Sequence, residues 1–104
     1  MSDITELHQA LLARVFDTNA TAPLELRRAA FEDTGLDEPI STLIDTVALR
    51  SYRVTDEDIS ATRAAGLSED QIFEIVVCAA VGQATRQYTS ALEALAAAGE
   101  RGKP

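Results

Sequence analysis

Tryptophan is missing from this chain, and aromatic residues make up only 5% of it. Any core must therefore be built from Ala, Leu, Ile and Val, whose small side chains let helices approach closely. A core that thin is commonly reinforced by association, so oligomerisation is expected. Cysteine occurs once, as Cys78, which excludes an internal disulfide and a zinc site built from several thiolates. Histidine also occurs once, as His8, which excludes a histidine-rich metal centre. No metal and no cofactor is called for. Basic residues are outnumbered, 9 against 17 acidic, and the net charge is −8. That charge repels phosphate backbones and anionic lipid headgroups, so neither nucleic acid nor a membrane surface is an expected partner. It also serves solubility.

A secretory leader and a membrane span are not recognisable either. "MSDITELHQALL" carries an acid where a signal peptide carries bases. The longest apolar run, 72–84, contains Glu74 and Gln83 and is too short to span a bilayer. A cytoplasmic location follows as the expectation. What is present is a hydrophobic share of 46% in 104 residues, enough for one folded domain and too few for two.

The periodicity is helical almost throughout, with no strand pattern. Asp3 and Glu6 suit a capping box ahead of a stripe through Ile4, Leu7, Leu11, Val15, Leu12 and Phe16. "DTNATAP" breaks it. Pro23 suits the first turn of a second helix bearing Leu24, Leu26, Ala30 and Phe31, and Gly35 suits its end. Pro39 opens a third, in which Ile40, Leu43, Ile44, Val47 and Ala48 repeat at helical spacing. Thr55 is the next N-cap, followed by Asp56, Glu57 and Asp58 at the positive end of the helix dipole. Gly66 closes that short helix, and Ser68 with Gln71 makes a further capping box. The last helical region, about 69–98, first buries Ile72, Ile75, Val76 and Ala79, then Tyr88, Leu92 and Leu95. The stripe rotates near Gly82, which predicts a kink or two consecutive helices. Ala79, Ala80, Gly82 and Ala84 form a small-residue surface suited to close backbone approach, within the subunit or between subunits. The fold class is all-α, a bundle of about five or six helices.

The run "RAAGLSEDQIFEIVVCAA" resembles the helix–Gly–helix signature of the alkyl hydroperoxidase D-like, carboxymuconolactone decarboxylase superfamily. Arg63, Ala64, Ala65, Gly66, Leu67, Ser68, Glu69, Asp70, Ile72, Ile75 and Ala79 carry the likeness, which extends over about 40–95. It implies an all-α fold assembling as homo-trimers or hexamers. The peroxidase branch bears Cys-x-x-Cys before the glycine and a His four residues after the second Cys. Here the cysteine places fall on Ser51 and Val54, and the histidine place on Asp58. Dithiol peroxide reduction needs a low-pKa thiolate beside a resolving thiol, and neither Ser nor Val supplies one. The lactone decarboxylase branch uses no cysteine but relies on the histidine, whose place is taken by Asp58.

Asp58 therefore has two readings, a reciprocal cap with Thr55 or an acid/base group with its carboxyl raised by Asp56 and Glu57. Gln83 and Arg86 interrupt the apolar face of the last helix. Arg86 needs a carboxylate, Asp45 or Asp58, or else an anionic ligand. Tyr52 is a hydrogen-bond donor into a pocket or an amphipathic plug; Ser51 and Arg53 flank it. His8 reads as a boundary residue and Cys78 as a small buried hydrophobe. Three functions are consistent with these residues. The first is a binder of a small organic, anionic molecule with decarboxylase- or isomerase-type acid/base chemistry at Asp58 and Tyr52. There Arg86, Gln83, Arg53 and Ser51 would hold the ligand. The second is a catalytically silent structural or regulatory subunit. The third, a dithiol peroxidase, fits least.

Overall fold

The computed structural model describes residues 2–15 and 20–101. Among them are five α-helices, one short 3-10 turn and no strand: α1 (Ser2–Val15), α2 (Leu24–Glu32), α3 (Ile40–Arg50), the turn Ser51–Arg53, α4 (Asp56–Ala64) and α5 (Glu69–Arg101). The chain is all-α, as its periodicity predicts. No described helix is long and apolar enough to cross a membrane.

Local chemistry explains the boundaries. The Thr55 hydroxyl accepts from the Asp58 N–H at 3.2 Å while the Asp58 carboxylate accepts from the Thr55 N–H at 3.0 Å, a complete capping box. The chain then turns through Gly66 at φ 109°, a left-handed conformation that a Cβ would strain. Ser68 and Gln71 repeat the box at the start of α5, at 2.9 and 3.1 Å. The end of α2 differs from the sequence expectation. Asp33, not Gly35, takes the left-handed C-cap position at φ 54°, and its N–H and that of Thr34 close on Ala30 and Ala29. Aspartate is one of the few side chains that tolerates that region.

The long helix α5 organises everything else. Its 33 residues run uninterrupted, with no break into two helices at Gly82. The stripe rotates there because the helix changes neighbours. The first half of α5 packs on α2 and α3, and Tyr88 stacks on His8 of α1 at 5.8 Å. The core joins Leu43, Ile44 and Val47 of α3 to Ile72, Ile75, Cys78, Ala79 and Val81 of α5, with Ala22 and Ala30 from the α2 side. Leu43, Ile44 and Ile75 are fully buried, each contributing about 2 kcal/mol of hydrophobic stabilisation. The small-residue surface divides. Ala79 and Gly82 are buried, Gly82 directly under Phe31 of α2, whereas Ala80 and Ala84 are exposed. Leu12 packs against the core and Leu7 is exposed. The Asp3 cap and the Ile4, Leu11, Val15 and Phe16 positions of the first stripe lie outside the described side chains.

Candidate functional site

Ser51, Tyr52 and Arg53 form the 3-10 turn between α3 and α4, and all three are exposed. Tyr52 is 80% exposed, with the Arg53 guanidinium 5.8 Å from its ring centre, so it neither plugs a cavity nor donates into one. Asp58 is held by the capping box, and its carbonyl also accepts from the buried Thr62 hydroxyl at 2.9 Å. Its carboxylate serves the start of α4.

Gln83 and Arg86 stand elsewhere, against the C-terminal end of α2. Arg86 Nη1 donates to the Phe31 carbonyl at 2.6 Å and Nη2 to Gln83 Oε1 at 3.0 Å. The expected ion pair with Asp45 or Asp58 is replaced by this cap on a helix end, where the carbonyls carry partial negative charge. The six candidate residues thus fall into two groups. Among the described residues no hydrogen bond or ion pair joins Ser51, Tyr52, Arg53 or Asp58 to Gln83 or Arg86.

Two polar assemblies were not anticipated. The first adjoins Arg86. Asp33 hydrogen-bonds Asp45 of α3, and its carboxyl is pushed up from 3.8 to about 6. Burial is the main cause, followed by the bond to Asp45 and its charge, with Arg86 opposing. A carboxyl that is half-buried beside a second carboxyl keeps its proton to higher pH than a free one, because ionising it is costly there. The folded pKa exceeds the unfolded one, so this contact stabilises the fold below about pH 4 and the contribution is lost as pH rises through about 6. An amide at position 33 keeps the bond without needing the proton. Asp33→Asn is therefore expected to raise Tm at pH 7.5 by about 4–8 °C, after discounting for solvent screening, and to leave it unchanged at pH 4. Thermal melts at the two pH values check this; equal shifts at both would exclude the raised Asp33 carboxyl as the cause. The sequence signal is an aspartate two residues ahead of Gly35, at the end of α2.

The second assembly is a knot around Glu74. Its carboxylate accepts from the Thr21 N–H at 2.9 Å, the Thr21 hydroxyl at 3.2 Å and the Ala22 N–H at 2.6 Å. Buried Arg27 bonds the Ala22 carbonyl through Nε at 3.0 Å. Cys78 lies within the field of Arg27 and Glu74, and burial pushes its thiol up to about 11, with Arg27 opposing. A thiol so buried and so weakly acidic does not form a nucleophilic thiolate at neutral pH. The visible clue was a glutamate inside an apolar run, matched by an arginine on the inward face of α2.

A groove of about 300 Å³ lies between α4 and α5, lined by Ile59, Glu69, Ile72, Phe73 and Val76. It contains none of the six candidate residues. Its one charge, Glu69, pairs with Arg63 at 3.0 Å on the surface.

No family model matches the chain, and no curated protein or solved structure matches it. The residues alone carry the functional reading.

Proposed function

We propose that this chain is a catalytically silent helical subunit whose role is assembly, a homo-oligomer of the cytoplasm that resembles the carboxymuconolactone decarboxylase-like proteins in outline and not in chemistry. The observation that carries this reading is how the polar candidates are used. Asp58 caps α4, Arg86 caps α2, Gln83 supports Arg86, and Tyr52 and Arg53 face solvent. The groove between α4 and α5 offers an apolar surface without an acid/base pair. Dithiol reduction has no thiol pair to run through, and turnover of an organic hydroperoxide is expected to be nil in the wild type and in Cys78→Ser alike.

The test is direct. Arg86→Ala removes a charged bond to a helix end and is expected to lower stability by about 1–2 kcal/mol. On this reading it also weakens self-association, read by analytical ultracentrifugation. A thermal-shift panel of lactones, dicarboxylates, aromatic acids and organic hydroperoxides is expected to stay flat. A stabilising hit lost in Arg86→Ala would refute the assembly role.

One observation favours a second reading. The raised carboxyl of Asp33 lies within the field of Arg86, which Gln83 supports, a donor set suited to an anionic organic molecule and acid/base chemistry. On that reading the panel hit is also lost in Asp33→Asn, and the proton donor is Asp33 rather than Asp58 or Tyr52.

A further inference from the structure

The outer face of α5 repeats Phe73, Val77, Ala80, Ala84, Gln87, Ala91, Ala94 and Ala98, at alternating spacings of four and three residues, with Val77 at its border also packing against the core. This is the seam pattern of a coiled coil. All of these are exposed except Val77, which is half-buried, and Phe73 is 69% exposed. Leu95, also 69% exposed, widens the face. The seam spans about 37 Å at the helical rise per residue. It carries no charge, in a chain whose residues are 25% charged. An exposed helix face in water is ordinarily rich in Lys and Glu, and a long uncharged apolar one marks an interaction surface.

The shape of the protomer agrees. Its radius of gyration is 16.2 Å, against about 13 Å for a compact chain of this length. Its accessible surface is 7187 Å², against about 5,700 Å² for a folded monomer of this mass. The excess, about 1,500 Å² on one protomer, is more than the roughly 800 Å² that each partner contributes to a standard protein interface.

We propose that the occupant of this face is a second copy of the chain, with the two α5 helices paired antiparallel about a two-fold axis between Thr85 and Arg86. This rests on the assembly reading and names its partner and contact. Charge selects the occupant. Two molecules of net charge −8 repel over most of their surfaces, and the seam is where they meet without opposing like charges. Register selects the direction. The two-fold sets Phe73 beside Ala98 of the second copy, Val77 beside Ala94, Ala80 beside Ala91, and Ala84 beside Gln87. Each layer then holds at least one alanine, so the helix axes approach to the close end of the usual 8–10 Å range. Gln87, the single polar side chain on the seam, fixes the register, as isolated polar residues do in coiled coils.

Sedimentation equilibrium of the full chain tests this. The wild type is expected to show twice the 11.2 kDa chain mass at about 10 µM, a typical working concentration for a standard-sized interface. Ala80→Glu with Ala91→Glu sets carboxylate against carboxylate in two layers and is expected to weaken dimerisation by roughly 100-fold or more. Ala80→Glu with Ala91→Lys sets carboxylate against ammonium and is expected to remain dimeric; a parallel pair would instead oppose like charges at both positions. Both positions are exposed in the protomer, and circular dichroism confirms that the variants fold. A monomeric wild type overturns both the pair and the assembly role. An oligomer indifferent to Ala80→Glu/Ala91→Glu, or one of three chains, overturns the α5 pair alone. Loss of the dimer in Ala80→Glu/Ala91→Lys overturns the antiparallel register.

Discussion

Replacing Gly82 by alanine is expected to destabilise the protein by about 3–4 kcal/mol and to lower Tm by more than about 12 °C. Gly82 is buried where α2 crosses α5. A Cβ there would overlap the Phe31 carbonyl oxygen, at 2.7 Å from its carbon and 3.0 Å from the Phe31 Cα. The obstacle is backbone, so no side-chain rotation relieves it. Either α2 lifts from α5 or α5 bends, and both open the densest contact in the fold. The same shift drags the Phe31 carbonyl, on which Arg86 closes at 2.6 Å. Helix propensity acts in the opposite direction by about 1 kcal/mol and is outweighed. Gly99 is the internal control. It lies in the same helix with open space around its Cα, and Gly99→Ala is expected to raise Tm slightly. Equal behaviour of the two variants in thermal melts would show that helix contact at Gly82 is not limiting.

The contrast between these glycines bears on what the sequence reveals. The local signals were strong. Thr55–Asp58 and Ser68–Gln71 announced two helix starts, and both boxes form. Leu43, Ile44, Val47, Ile72, Ile75 and Ala79 announced the core, and all are buried. These features depend on residues a turn or less apart, so spacing alone encodes them. Gly82 was legible as an interruption but not as a crossing point, because Phe31 lies 51 residues away in the chain. Arg86 was legible as a cation in need of a partner. Its partner proved to be a backbone carbonyl, which has no side-chain signature. The candidate site divided for the same reason. Ser51 and Asp58 stand out by resemblance, and Gln83 and Arg86 as interruptions of an apolar face, whereas the packing of α2 on α5 draws Arg86 toward the end of α2. The contact of Asp33 with Asp45 has no local signature, because the two meet only once α2 and α3 are folded together.

Glu74 is where long-range pairing has the clearest energetic consequence. The carboxylate holds the residues ahead of α2 as a cap would, supplied from a helix 52 residues further along the chain. Burial alone would raise its pKa, but the bonds from Thr21 and Ala22 and the charge of Arg27 outweigh burial and lower it from 4.5. The folded pKa is below the unfolded one. The stabilisation is therefore fully present above about pH 4.5 and is lost as pH falls through the folded value. Glu74→Ala leaves the N–H of buried Ala22 without its acceptor and removes the negative charge that Arg27 faces, at a cost of about 2–3 kcal/mol at pH 7, or about 10–20 °C in Tm. Glu74→Gln keeps the shape but turns an amide toward N–H donors, and is expected to fall between alanine and wild type. Urea melts at pH 7 and pH 3 check the origin of the effect. An electrostatic cap predicts a smaller gap between wild type and Glu74→Gln at pH 3 than at pH 7, because the carboxylate's contribution diminishes as pH falls below about 4.5. A gap of the same size at both pH values would mean that the side chain acts by packing. Asp33 runs the other way, losing its contribution as pH rises. Wild-type stability is therefore expected to be greatest near pH 4.5, where the Glu74 contribution is complete and little of the Asp33 contribution has been lost, and to fall as pH rises from there to about 6.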